Sequence, residues 1–511
     1  MPLVLAIDVL IVAWLVWTAA TKGFERTLPG ATFLLMLFPV ECQIAVPGLS
    51  DLDAQRVIVI TLLVLQFVFP DKKDTVGGRS YLSLKWLLIL QIVWLGVATI
   101  NSAVVVISVK AVISQILDFM VVYWIYARNI RRGGTVRGIL GGYVSALIAL
   151  SVIGIAEVYQ DWSPVALFPT VAHHFGAADV DDRAGRIQST FGHPILFGLA
   201  LAMAIPAALC LTSLAKDKRE KWFFGLGILP MFLCIYKTGS RGPWIALFMS
   251  LCLLALLGDS TIRKKLGGIA VLVLVVLVVR PGVFDTLHNI YAGSKDSDSA
   301  MGESYQWRYV LYGLVPVELN HSIGRALWGH GPNSFYYLGI KTAAQVDGEI
   351  HIVPVESCDS AVVLLLIETG YLGFAIAMLP LLTVWRTALL GCVRSTGLDR
   401  LIPLTFFCML CAYFFLMTNV QNYGWGQQSY MLWIVMAMAM LNPALLRAEE
   451  DMPETIVEKK RKLRSPWTSD LAWECVEESA SSLPGVSALH SPVRWSNFQT
   501  ENNRASQYNT E

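Results

Sequence analysis

Charge is scarce in this chain. Only 15% of its 511 residues are Asp, Glu, Lys or Arg, where a soluble globular chain carries roughly a quarter. That shortfall excludes an ordinary soluble domain. Neither sign is in excess: 39 basic and 38 acidic residues leave a net charge of +1. With no basic stripe and no zinc-knuckle spacing, nucleic acid is not an expected partner. No C-x-x-C pair suggests a metal site, because Cys408 and Cys411 lie inside an apolar run, as do Cys210, Cys234 and Cys252. A phosphate-cradling G-x-x-x-x-G-K-[ST] motif and a dinucleotide fingerprint are also missing, so no nucleotide cofactor is expected.

What the chain has instead is apolar length. It is 55% hydrophobic with 16 Trp, and its mean hydropathy is +0.56. Met1 to Ala20 is apolar but lacks a basic start and a small-residue cleavage site, which predicts a first span rather than a signal peptide. Further apolar stretches fall at about 30–48, 56–70, 82–103, 105–127, 137–159, 194–214, 222–237, 243–258, 266–281, 361–385, 401–420 and 428–446. Most approach the roughly twenty residues that cross a bilayer as helix. Backbone in hydrocarbon must satisfy its own hydrogen bonds, and these runs are too long for barrel strands. The expected fold is therefore an all-α polytopic membrane protein over residues 1–446. It has about 12–13 transmembrane helices, twelve if the second stretch, which contains Glu41, only dips into the membrane.

Basic residues fall in alternate loops: Lys22/Arg26, Lys72/Lys73/Arg79, Arg128/Arg131/Arg132, Lys216 to Lys221, Arg263 to Lys265 and Arg386/Arg394/Arg400. The positive-inside rule puts these on the cytoplasmic side and turns the loops at about 160–193, 237–242, 281–360 and 421–427 outward. The tail, 447–511, is rich in Ser, Glu and Asn and reads as a disordered cytoplasmic extension. Its basic run Lys459–Arg464 fits contact with an anionic membrane surface.

The segment 281–360 interrupts this pattern. It is mixed and aromatic-rich, with Tyr305, Trp307, Arg308, Tyr312, His330, Asn333, Phe335, His351, Glu356 and Asp359. It holds one cysteine, Cys358, so it must fold without an internal disulfide. Either it carries the chemistry or it is a cap over helix ends. The outer loops hold few arginines, yet Arg183, Arg186, Arg241, Arg280 and Arg308 sit close to span ends, where a guanidinium needs a partner or a wet cavity. Each alone could snorkel to the interface. As a group they suit an anionic ligand, since the guanidinium fork matches phosphate oxygens and never loses its charge. Tyr305, Trp307, Tyr336, Tyr337, Tyr423 and Trp425 could stack on sugar faces, though interfacial belts also place aromatics at this depth.

Five motifs occur in order: Arg186 to Phe191-Gly-His-Pro194, Ser240-Arg241-Gly242, Arg308, Gly329-His-Gly331, and Glu368-Thr-Gly370-Tyr-Leu-Gly373. In this order and alternation with spans the chain resembles the O-antigen ligase and O-antigen (exopolysaccharide) polymerase superfamily, over roughly 180–375. The resemblance implies a GT-C-like, metal-independent glycosyltransferase of the bacterial inner membrane, active on its periplasmic face. Its donor would be an undecaprenyl-diphosphate-linked oligosaccharide. Arg186, Arg241 and Arg308 would grip the diphosphate and stabilise the leaving charge. Polysaccharide assembly and chain-length proteins are candidate partners.

Ligases of this family carry a His-Asn pair where this chain has Asp359-Ser360. A carboxylate can act as general base if its pKa is brought towards the working pH, and like-charge repulsion from Glu356 would push it that way. Asp359 is the expected base, with His330 and His351 as alternatives. The aspartate favours a polymerase over a ligase. A transporter of lipid-linked sugars would call for paired repeats with broken helices near the midplane, and none is evident. A non-catalytic scaffold is the remaining alternative.

Overall fold

The computed structural model describes residues 2–44, 51–70, 78–160, 162–168, 186–279, 300–346, 349–355, 357–424 and 426–441. Arg183, Arg280, Glu356, Trp425 and the tail 447–511 lie outside these residues, as do the side chains of Tyr305 and His351.

Helices run in chain order as α1 Pro2–Lys22, α2 Leu28–Leu37, α3 Ala54–Val68 and α4 Gly78–Ile100. Next come α5 Val105–Asn129, α6 Gly133–Gln160, α7 Pro194–Leu214, α8 Lys218–Lys237, α9 Arg241–Leu257 and α10 Ser260–Val279. The long segment contributes α11 Ala300–Leu319 and α12 Ile323–Trp328, and the chain closes with α13 Ala361–Arg394, α14 Leu401–Met417 and α15 Gln427–Ala439. Among the described residues, sheet is confined to two small antiparallel pairs: β1 Gln43–Ile44 with β2 Leu52–Asp53, and β3 Lys341–Val346 with β4 Glu349–Pro354.

Each expected apolar stretch corresponds to a helix. Among the described residues, six apolar segments are long enough to cross a membrane: α1, α5, α6, α7, α13, and α14 together with the turn Gly397–Arg400 before it. Three more apolar stretches, α3, Leu84–Ile100 and α9, are shorter. The second stretch is helical for only ten residues. It stops at Phe38, before Pro39, because the residue preceding a proline is driven out of the helical region. Glu41 lies past the helix end.

The bundle is apolar on both its inside and its outside. Outward-facing Leu10, Trp86, Phe248 and Leu256 are all exposed, as lipid-facing side chains must be. At its centre α7 and α15 are almost wholly buried. In α7, Gly198, Ala200, Ala202, Ala204, Ala207 and Ala208 keep that helix thin, so its neighbours approach closely by van der Waals packing. A second, smaller core lies under the long segment. Leu311, Leu314, Val315 and Leu319 of α11 meet Phe335, Ile340, Val355, Cys358, Val363, Leu364 and Ile367. Among the described residues of the long segment there are two helices and a hairpin, anchored on the first turns of α13. Cys358 is a buried free thiol there.

The bundle has two distinct ends. At one, Glu25 receives the backbone N–H groups of Arg131 and Arg132 and the Thr135 hydroxyl. Arg137 pairs with Glu220 at 2.5 Å. Lys265 donates to Thr212 and Ser213, and Arg400 donates to the Leu257 carbonyl. This is the lysine-rich end. The opposite end gathers residues 38–44, 51–53, 101–104, 186–193, 238–241, 308–346 and 418–424.

Candidate active site

Most of the site is built on the last turn of α14 and the residues after it. A helix end leaves its final carbonyls without intrahelical partners, and here the Met417 carbonyl and those of the next three residues are taken from outside. Ser360 Oγ lies 3.4 Å from the Met417 carbonyl. Tyr312 donates to the Thr418 carbonyl at 3.1 Å. Arg308 Nε donates to the Asn419 carbonyl at 3.3 Å, and the Ala361 amide donates to Val420 at 3.2 Å. One helix end therefore fixes α11 and the start of α13 together.

That fixation sets the Arg308–Asp359 pair. Ser360 caps α13 by accepting from the Val363 amide at 3.3 Å, the usual work of a serine at a helix start. Asp359 stands just outside that cap, with its carboxylate 4.0 Å from the Arg308 guanidinium. The Asp359 side chain is 38% accessible. Burial raises its pKa above the ordinary carboxylate value, and the Arg308 charge opposes the rise without cancelling it. Tyr312 shares a 3.1 Å hydrogen bond with Ser360 beside it, and the Tyr336 hydroxyl donates to Gln421 at 2.6 Å.

The second basic group reaches the same helix end. In the turn Thr238–Gly242, Gly242 packs against Leu416 so closely that a Cβ there would lie 2.7 Å from the leucine. Arg241 opens α9 at this point. Arg186 arrives from the preceding loop and is held by this turn: its Nε donates to the Thr238 carbonyl at 2.8 Å, and Nη2 to Ser240 Oγ at 2.7 Å. Gln427, at the start of α15, donates to the Thr190 carbonyl at 2.7 Å and binds the Arg186 loop to the start of that helix.

A break in α13 forms the floor under the long segment. Gly370 has φ 73° and ψ 176°, so one helix ends and another begins inside the span. Backbone freed at membrane depth must find partners. The His330 amide donates to the Ile367 carbonyl at 3.0 Å, and the Gly331 amide to Glu368 at 2.8 Å. Trp94 Nε1 donates to Thr369 at 3.2 Å. The Glu368 carboxylate in turn faces the amides of Asn333 and Phe335. The approach is backbone on backbone: a Cβ on Gly370 would lie 2.3 Å from the Leu327 carbonyl oxygen, and one on Gly329 would lie 2.6 Å from Glu368. The Gly-His-Gly and Glu-Thr-Gly motifs are therefore two halves of one joint.

Other expected site residues are dispersed. The His330 ring faces Glu318, 3.4 Å from its carbonyl and 3.8 Å from its carboxylate. Burial and then the Arg325 charge hold its pKa below the ordinary histidine value. Tyr423 is buried, and its hydroxyl accepts from Gln91 at 2.9 Å, so it packs in the interior rather than lining an open surface. Trp307 packs on the small core. Glu157 and Glu368, both nearly buried, emerge as loop holders. Their sequence signal is a lone carboxylate within an apolar run, which marks a working position in membrane proteins.

No curated protein matches the chain. Residues 226–378 match the family model described as O-antigen ligase. Four of the five motifs fall inside this segment; the fifth, at Arg186, lies before it but is bonded into it through Thr238 and Ser240. Over 226–378 this integral membrane protein accordingly carries the signature of the O-antigen ligase and polymerase superfamily of glycosyltransferase-like membrane enzymes.

Proposed function

We propose that the protein extends a polysaccharide on the periplasmic face of the bacterial inner membrane, using undecaprenyl-diphosphate-linked oligosaccharide as donor. The observation that carries this reading is the Arg308–Asp359 pair on the α14 end, with the Arg241 turn packed on that end and holding Arg186. A diphosphate on a buried lipid lies at this depth, at the boundary where the arginines gather. Arg186, Arg241 and Arg308 bind its oxygens, so guanidinium groups rather than a metal offset the leaving charge.

The acceptor hydroxyl gives its proton to the Asp359 carboxylate as its oxygen attacks the donor anomeric carbon. The bond from that carbon to the diphosphate oxygen breaks, and the electron pair leaves with undecaprenyl diphosphate. Burial raises the Asp359 pKa towards the working range, which suits a general base. Tyr312 and Tyr336 flank the aspartate as sugar contacts. The aspartate, in place of the ligase histidine, favours a growing glycan as acceptor over a lipid or protein.

Purified protein given a lipid-linked repeat unit and no nucleotide should produce longer chains. Failure to extend, with transfer instead to a lipid acceptor, would make it a ligase. A cysteine placed at Gly302 should react with an impermeant thiol reagent in spheroplasts, and one at Asp217 should not. The reverse pattern would remove the donor's compartment.

A further inference from the structure

The Arg186 loop is held by a carboxylate inside the membrane. Glu157 lies in the last turn of α6, 8% exposed, and its Oε2 accepts the Ser189 amide at 2.8 Å. The Gln188 amide faces the same group. One turn before it, Gly154 makes room for Ile187: a Cβ there would lie 2.7 Å from the isoleucine side chain. One turn earlier again, the Leu150 carbonyl accepts the Ser189 hydroxyl at 3.1 Å. Positions 150, 154 and 157 share one helix face, and together they cradle residues 187–189. Beyond the cradle, the Ile187 amide donates to the Lys237 carbonyl at 3.2 Å, and Arg186 itself reaches Thr238 and Ser240.

Ser189 has φ 51°; with Asn333 it is one of two non-glycine residues of positive φ among those described. Such a conformation persists only where its surroundings over-determine it. Asn333 stands in the other loop that a membrane carboxylate, Glu368, holds by its amides. The coincidence of strain and buried carboxylate occurs twice, at the two loops that frame the site.

We propose that Glu157 is a positioning residue for Arg186: its carboxylate clamps the Gln188 and Ser189 amides and thereby aims the guanidinium along the Thr238–Ser240 turn. Glutamine is no substitute, because its single carbonyl oxygen replaces two acceptors and its NH2 turns a donor towards donors. The consequence for the diphosphate rests on the function proposed above; the clamp itself does not.

The test uses the full chain in nanodiscs. In Glu157→Gln, hydrogen exchange at 187–191 should quicken by about tenfold or more while α6 and α7 keep their protection, because losing a hydrogen bond to a charged group opens the loop locally. Glu157→Gln with Ser189→Gly should recover part of that protection, since glycine takes φ 51° without strain. Unchanged exchange in Glu157→Gln, or loss of protection spread over the bundle without rescue, would overturn the clamp. Turnover of a lipid-linked repeat unit then tests its reach to Arg186. Glu157→Gln should lower wild-type turnover but add little in an Arg186→Lys background, because residues acting as one unit are not additive. Equal losses in both backgrounds would overturn the positioning role. If Arg186→Lys keeps full turnover, the diphosphate reading fails, and the exchange result alone decides the clamp.

Discussion

The two ends of the bundle use cations differently. At the lysine-rich end, positive side chains meet carboxylates and hydroxyls of neighbouring helices, as in Arg137–Glu220 and Lys265 with Thr212 and Ser213. These contacts are partly buried and satisfy each cation locally. At the opposite end arginines are fewer and are aimed by main-chain carbonyls: Arg186 by Thr238 and Arg308 by Asn419. Arg56, at the start of α3, supplies an internal contrast. Both oxygens of Asp118 accept from it, as do Ser114 and the Asp51 carbonyl, so its role is structural. Carbonyls steer guanidinium groups at both ends, as Leu257 does Arg400; what sets the opposite end apart is that Arg308 and the turn holding Arg186 meet on one helix end.

The largest effect should come from the carboxylate at the arginine end. General-base assistance is worth about 10²–10⁴-fold in rate. Asp359→Asn should therefore lower single-turnover extension by that order while donor binding survives, and Asp359→His should retain part of the activity. Normal turnover in Asp359→Asn would move the base to His330 or His351.

Next comes the joint that seats the long segment. In Gly370→Ala the new Cβ meets the Leu327 backbone carbonyl at 2.3 Å; the Cβ is fixed by its own backbone, so neither can step aside cheaply. The His330 and Gly331 amides should lose their acceptors, measurable as faster hydrogen exchange at 329–335 with activity lost alongside. A change of similar size at Gly134, where a Cβ meets nothing within 4 Å, should do neither.

The comparison between ends is sharpest in charge-conserving exchanges. Lysine keeps the charge but not the fork. A hydrogen bond to a charged group is worth roughly 1.5–3 kcal/mol, so Arg186→Lys, Arg241→Lys or Arg308→Lys should each cost about ten- to a hundredfold in turnover with insertion unchanged. Arg137→Lys at the other end should cost almost nothing. Equal, small effects at both ends would erase the distinction.

Much of this frame was legible in the sequence, because a membrane span is written locally in about twenty consecutive residues. The thirteen apolar stretches and the superfamily motifs are signals of that kind. The break at Gly370 is not: Glu368-Thr-Gly370 reads as a helix continuing through an apolar run, and the donors that make the break tolerable, His330, Gly331 and Trp94, lie far away in sequence. The same holds for α11, whose apolar face turns to a core completed by Phe335, Ile340 and Ile367. The family resemblance named Arg308 and Asp359 separately, and only the shared end of α14 explains why they meet. Glu157 stood in plain view as a carboxylate in an apolar run, but its meaning depends on the distant Ser189.

The smallest effect is a displacement of the pH profile, and it decides between bases. Asp359 acts only when ionised, so turnover should fall as pH drops through its pKa. Burial puts that pKa above the ordinary carboxylate value of 3.8, and Arg308 holds it down. Removing the guanidinium charge in Arg308→Gln should therefore raise it further, and the acid limb of the residual activity should move to higher pH. Asp359→Asn should abolish the limb altogether. His330 predicts a different pattern, because its pKa is lowered by burial and then by Arg325 rather than by Arg308. A limb set by His330 would ignore Arg308→Gln and rise in Arg325→Gln. Profiles of the two variants, measured with the same lipid-linked donor, assign the base by which arginine moves the limb.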